Sequence, residues 1–183
     1  MFYVFKTSLV GWKNSLLQAT PNGPLSDYEP WWGQAEPFNS PPKLPLFSIS
    51  SKAPKLDVYF TGLQVVDLFS IRLVNILREA DAKFESFPAT VLDRKTKEIV
   101  PLSYEAPHLF EILPVLDENL TIVKHKIEKL VLNEEVNSVQ TPMFRVKKRE
   151  SVIIINESLK SILEANSITG YTCCPVNEYP PKL

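Results

Sequence analysis

The residues of this chain whose types could do chemistry are Cys173-Cys174, His108, His125 and the acid pairs Asp117-Glu118 and Glu134-Glu135. A thiol nucleophile would need one cysteine, a histidine as base and a third group to orient it. Cys173 or Cys174 with His108 or His125 supplies the first two by presence alone, and no Gly-x-Ser-x-Gly elbow offers a serine instead. A metal centre would need several ligands at short spacing, and neither Cys-x-x-Cys nor His-x-x-x-His occurs. The five glycines are not clustered, so no loop is built to cradle a phosphate. Both acid pairs stand in polar stretches, where a carboxylate reads as solvated loop charge. This pattern argues for a protein that works by binding, with no catalytic residues, no metal and no cofactor.

Composition bounds the partners. The chain has 183 residues, 44% of them hydrophobic and 22% charged, as in an ordinary globular domain with a sizeable core. The formal net charge is −1, and bases and acids stay balanced along the chain. A nucleic-acid binder would normally carry a basic face. Lys147-Lys148-Arg149 is a small basic cluster and reads as a solvated turn between two strands. The apolar opening Met1–Phe5 lacks a basic leader and is soon interrupted by Lys6 and Lys13, so no secretory signal is expected. No run reaches the ~18 apolar residues that cross a bilayer. Adjacent cysteines in a strand point to opposite faces, so two buried thiols in a reducing cytoplasm are expected rather than a disulfide.

The elements that would position these groups follow from the pattern. Residues 2–10 alternate as a first strand. Residues 19–55 hold eight of the 16 prolines, together with Trp31, Trp32, Phe38 and Phe47. Proline blocks long ladders, but so much aromatic surface does not suit a disordered linker, so this is expected to be an ordered arm across the body. Val65–Phe69 reads as a strand, Ser70 as a helix cap, and Leu73, Ile76, Leu77 and Ala80 as a helical stripe. Phe84–Leu92 and Ile99–Tyr104 read as strands around the charged tip Asp93–Glu98. Pro107–Leu116 has room only for a turn or a short strand. Strands are expected around Ile122–Lys124, Ile127–Leu132 and Met143–Lys147.

Ser151–Val176 is the best-defined unit. Val152–Ile155 is a β-branched run suited to a strand covered on both faces. Asn156 caps a helix with Leu159, Ile162 and Leu163 in one stripe. Gly170 allows a tight exit into Tyr171–Val176. Val66, Leu68, Phe69, Ser70, Leu73, Ile76 and Leu77 precede Val152, Ile154, Ile155, Asn156, Leu159, Ile162 and Leu163 at one constant offset. The two units read as an internal strand–helix–strand repeat. The expected fold is α+β: a mainly antiparallel sheet with two packed helices, in one domain with a Pro/Trp-rich arm over 1–54 and a body over 55–178.

Phe144-Arg145, Val152–Ile155, the Asn156 cap, Leu159-Lys160-Ser161-Ile162-Leu163-Glu164, Ile168-Thr169-Gly170-Tyr171 and Pro175-Val176 together resemble a C-terminal signature. It is that of the Myxococcus-type immunity proteins of bacterial polymorphic toxin systems, numbered eleven in the immunity series and near forty-three. Asp57, Val65–Leu77 and Phe87-Pro88 also fit that family's layout, as do Gly23-Pro24 and the Trp-rich turns. The resemblance covers 55–178 closely and 1–54 loosely. Cys173-Cys174 departs from the family's small-to-aromatic exit strand. The resemblance implies a non-enzymatic protein that binds a cognate toxin in the producing cell's cytoplasm and covers its active site or blocks its activation. The family offers no shared contact motif. Candidate contacts come instead from the arm (Tyr28, Glu29, Trp31, Trp32) and the acidic loops (Asp117, Glu118, Glu134, Glu135), aromatics supplying area and acids meeting a basic cleft. An adaptor of a secretion system and a small Cys/His enzyme are the competing readings.

Overall fold

A computed structural model describes residues 1–8, 20–22, 35–42, 44, 46–50, 54–61, 67–101 and 103–180. Tyr28, Glu29, Trp31, Trp32 and the start of the expected strand at Val65 lie outside the described residues.

The architecture is mixed α+β and mostly strand. A five-stranded sheet is built from β1 (Phe2–Thr7), β9 (Ile112–Leu113), β12 (Met143–Val146), β13 (Arg149–Asn156) and β14 (Tyr171–Pro175), in the order β14-β1-β13-β12-β9. A four-stranded sheet contains β4 (Val58–Tyr59), β5 (Leu68–Ser70), β6 (Glu85–Ala89) and β8 (Tyr104–His108), in the order β4-β5-β8-β6. β2 (Thr20–Asn22), β3 (Leu46–Ile49) and β7 (Val91–Asp93) form a three-stranded sheet, and β10 (Ile122–Val123) pairs with β11 (Ile127–Lys129). The pairings are antiparallel except β9 with β12 and β3 with β7. The helices are α1 (Ile71–Glu79) and α2 (Glu157–Ala165). Among the described residues no helix is long and apolar enough to cross a membrane.

Period-two alternation explains the layering. Along β13, Val152 and Ile154 point into one apolar cluster and Ile153 and Ile155 into another. The β-branched run is therefore covered on both faces, as its composition predicts. Val4 and Phe5 on β1, and Met143 and Phe144 on β12, divide in the same way. The central cluster joins this sheet to both helices through Leu73, Val74, Leu77, Leu159 and Leu163, and reaches Val58 and Phe69 of the four-stranded sheet. On that sheet's other face Tyr59, Leu68 and Tyr104 meet Phe47, Ile49 and Val91. Phe47 and Ile49 come from residues 19–55, where two short strands form among the prolines, Pro21 within β2.

The caps and exits of α1 and α2 share their local geometry. Ser70 Oγ accepts from the Leu73 N–H and Asn156 Oδ1 from the Leu159 N–H, 86 residues apart in each case. Both helices run nine residues. Both exit through a non-glycine residue at positive φ, Asp81 at 60° and Ser167 at 50°. The N–H groups of Ala82 and Ile168 then return to the carbonyls of Leu77 and Leu163, each at 3.0 Å. In the sheets, β5 and β6 flank β8, while β13 and β14 flank β1, which comes from the other end of the chain.

The expected strand Ile99–Tyr104 is displaced. Ile99 makes only an isolated bridge to Leu92, and the true strand β8 runs through Pro107. Proline is tolerated there because the ladder with β5 stops at Glu105, leaving β6 as its only strand partner among the described residues. The single expected strand Phe84–Leu92 is two strands in different sheets, divided at Thr90.

Candidate partner-binding surface

Asp117, Glu118, Glu134 and Glu135 fall on one lobe, residues 115–138. Its inner residues Val115, Leu130 and Val136 pack on the outer face of the five-stranded sheet. A short ladder forms its base. Leu116 bridges Leu132, the Asp117 N–H donates to the Val131 carbonyl at 2.9 Å, and the Asn133 N–H donates to that of Val115 at 2.8 Å. Thr121 extends the ladder, its Oγ1 donating to the Val131 carbonyl and accepting from the Val131 N–H, both at 3.1 Å.

The four acids have different local duties. Asp117 Oδ1 accepts from the N–H groups of Asn119 and Leu120, each at 3.0 Å, so this carboxylate builds the turn. Glu118 is exposed and receives Lys148 Nζ at 2.7 and 2.8 Å. That pair fixes the basic turn Lys147-Lys148, where Lys148 has φ 69°. Glu134 and Glu135 open a 3-10 turn, Glu134–Ser138, capped by Asn133, and both are exposed. The Glu135 N–H donates to Asn133 Oδ1 at 3.1 Å and the Glu135 carbonyl accepts from Ser138 Oγ at 2.7 Å, so its backbone holds the turn while both carboxylates face solvent.

The lobe also carries the hairpin β10–β11, two short strands that the sequence pattern predicts. Leu120, Ile122 and Val123 are 53%, 47% and 38% exposed. They lead into a tip closed by the Lys124 N–H donating to the Lys126 carbonyl at 3.0 Å. Lys124, His125, Lys126 and Lys129 are all exposed around it. The signal in the sequence is the adjacent apolar pair Ile122-Val123 before Lys-His-Lys, since a strand can turn only one of two neighbours inward, while Ile127 on β11 packs against the core.

The groups that suggested other chemistry lie in separate elements. His108, on β8, is buried with Nδ1 2.9 Å from Glu85 Oε1, and its ring lies 4.6 Å from that of Phe38. The Phe38 N–H also donates to Glu85 Oε1, at 2.7 Å. This cluster ties the residues around Phe38 to β6. His125 sits at the exposed hairpin tip. Cys173 and Cys174 are free thiols on β14, both half-buried rather than fully buried. Burial pushes the Cys173 thiol up to about 12 and also raises that of Cys174, so neither is a ready thiolate at neutral pH. Among the described residues no group of three or more His, Cys, Asp or Glu is placed to hold a metal.

Asp57 is a structural joint. Its carboxylate accepts from Ser70 Oγ at 2.7 Å, Arg72 Nε at 3.1 Å, Arg72 Nη2 at 2.6 Å, and the N–H and Oγ1 of Thr169, each at 3.0 Å. Burial alone would raise its pKa. The hydrogen bonds from Arg72, Ser70 and Thr169 outweigh that and hold it below the usual carboxylate value. Arg72 also reaches the carbonyls of Asn166 and Ser167, so the start of α1 is fastened to the end of α2. A scan against protein-family models and a search of curated proteins both found no match to this chain.

Proposed function

We propose that this chain is an immunity protein, which neutralises a cognate bacterial toxin by binding it in the producing cell's cytoplasm and covering its active site or blocking its activation. The observation that carries this reading is the 115–138 lobe. It is anchored on the sheet by Val115, Leu130 and Val136, yet presents exposed apolar residues, lysines and the Glu134-Glu135 pair on its outer side. Such a mixture of apolar area and charge on a rigid base suits a protein–protein contact. Two of the buried polar groups are meanwhile engaged internally, Asp57 with Arg72 and Thr169 and His108 with Glu85. The resemblance of the Phe144–Val176 region to Myxococcus-type immunity proteins supplies the class of partner. The arm residues Tyr28, Glu29, Trp31 and Trp32 remain proposed contacts beside the acidic lobe.

The shared caps, helix lengths and exits support a second element of the reading, that Val65–Val91 and Ser151–Val176 are two copies of one strand–helix–strand unit. In the second copy the strand equivalent to β8 is β1.

The test is co-expression with the toxin encoded beside this gene. Growth should be restored and a complex recovered. Replacing Cys173 and Cys174 by alanine should leave both results unchanged, whereas a Cys/His enzyme would lose its effect. Absence of rescue and of a complex would defeat the reading, and a gene set among secretion-apparatus components would favour an adaptor.

A further inference from the structure

The β10–β11 hairpin, together with Leu120 just before it, combines three properties. It is apolar: Leu120, Ile122 and Val123 are three large exposed hydrophobic residues within four positions. It is basic: Lys124, Lys126 and Lys129 stand against Glu128 alone between Lys124 and Lys129, in a chain of net charge −1. Lys124 and Glu128 form an exposed pair at 3.0 Å, and the three lysines against one acid leave the segment with a net positive charge. It is also anchored, because the ladder of Asp117, Thr121 and Val131 joins it to the buried Val115 and Leu130.

Neighbouring residues on a strand point to opposite sides. Ile122 and Val123 are nonetheless both exposed, so both sides of β10 are accessible. The register shifts between them, Ile122 facing Lys129 and Val123 facing Ile127, so β11 carries one extra residue, Glu128, opposite β10. Clustered exposed apolar side chains are what a recognition site supplies, since they gain by leaving water on binding.

We infer that this hairpin is the inhibitory finger of the molecule, and that it enters an apolar-walled, carboxylate-lined cleft of a protein partner. The inference rests on the immunity reading and changes the sign of its electrostatics. Charge complementarity sets the partner chemistry: Lys124, Lys126 and Lys129 match carboxylates, while Leu120, Ile122 and Val123 require apolar walls. A nucleic acid would meet the lysines but leave those three side chains without a matching surface. Glu134 and Glu135 form the rim of the contact and contribute mainly to orientation.

The experiment uses the full chain and, as probe, an inactivated form of the toxin encoded beside it, with affinity measured by titration calorimetry at low and physiological salt. Ile122→Asp with Val123→Asp should weaken binding by about thirtyfold or more, the scale of a central contact. Lys124→Glu with Lys126→Glu should weaken it by about tenfold at low salt and by less at physiological salt, as screening predicts. Glu134→Lys with Glu135→Lys should change it by no more than about twofold. Each variant should keep the parent's unfolding temperature, because the altered side chains are exposed. If the parent binds and the hairpin variants bind equally well, the finger is wrong and the immunity reading stands. If the parent fails to bind, that reading falls and the finger with it. Tight binding of a DNA duplex through Lys124 and Lys126 would also overturn the inference.

Discussion

Asp57 is the residue that joins the two helical units. Its folded pKa lies below the ordinary value, so its contribution is complete above about pH 4 and is lost as pH falls through the lowered folded value. Asp57→Asn should destabilise the protein by about 2–3 kcal/mol at neutral pH, the range for losing charge-assisted hydrogen bonds in a partly exposed network. It should also remove part of the acid sensitivity, and urea unfolding at neutral and acid pH would show both effects. Gly170 stands beside this joint at φ 87°, and a Cβ there would collide with the carbonyl oxygen of Val58. Gly170→Ala should cost about 3 kcal/mol or more, combining left-handed strain with overlap against backbone, and a shifted denaturant midpoint would measure it. A tight exit at Gly170 was legible in the sequence. The reason for it was not, because Val58 lies far away in the chain and only the fold brings its carbonyl there.

At the scale of elements, the caps separate local from long-range stabilisation. Asn156 accepts only the Leu159 N–H, so Asn156→Ala should cost about 1 kcal/mol. Ser70 bonds both the Leu73 N–H and Asp57, so Ser70→Ala should cost about twice as much. Combined with Asp57→Asn it should cost less than the sum, because the two changes remove a shared bond. Thermal unfolding of the single and double variants checks this. Both helices and the strands β1, β12, β13 and β14 were legible from apolar spacing, β-branched runs and capping residues. β8 was not, because Pro107 argues against a strand unless its neighbours are known. Nor was the pairing: local pattern carries no information that β1 inserts between β13 and β14. The candidate site was legible only in part. The four acids are where polar stretches were expected, but hydrogen bonds from Asn119 and Leu120 decide that Asp117 builds a turn, and exposure that Leu120, Ile122 and Val123 face outward.

For the whole molecule, the layers assign separate duties. The central cluster ties both helices to two sheets, and the outer lobe is free of that task. A protein that must hold a rigid surface toward a partner benefits from such a division, since binding then orders few side chains and loses little entropy. The central claim is that this chain neutralises a toxin by covering it. The most direct measurement is the residual activity of the toxin that this claim requires, purified as the product of the neighbouring gene, as the full chain is titrated in. The account predicts a stoichiometric fall to background, accompanied by a stable one-to-one complex. Undiminished toxin activity at excess chain, with no complex formed, would contradict it.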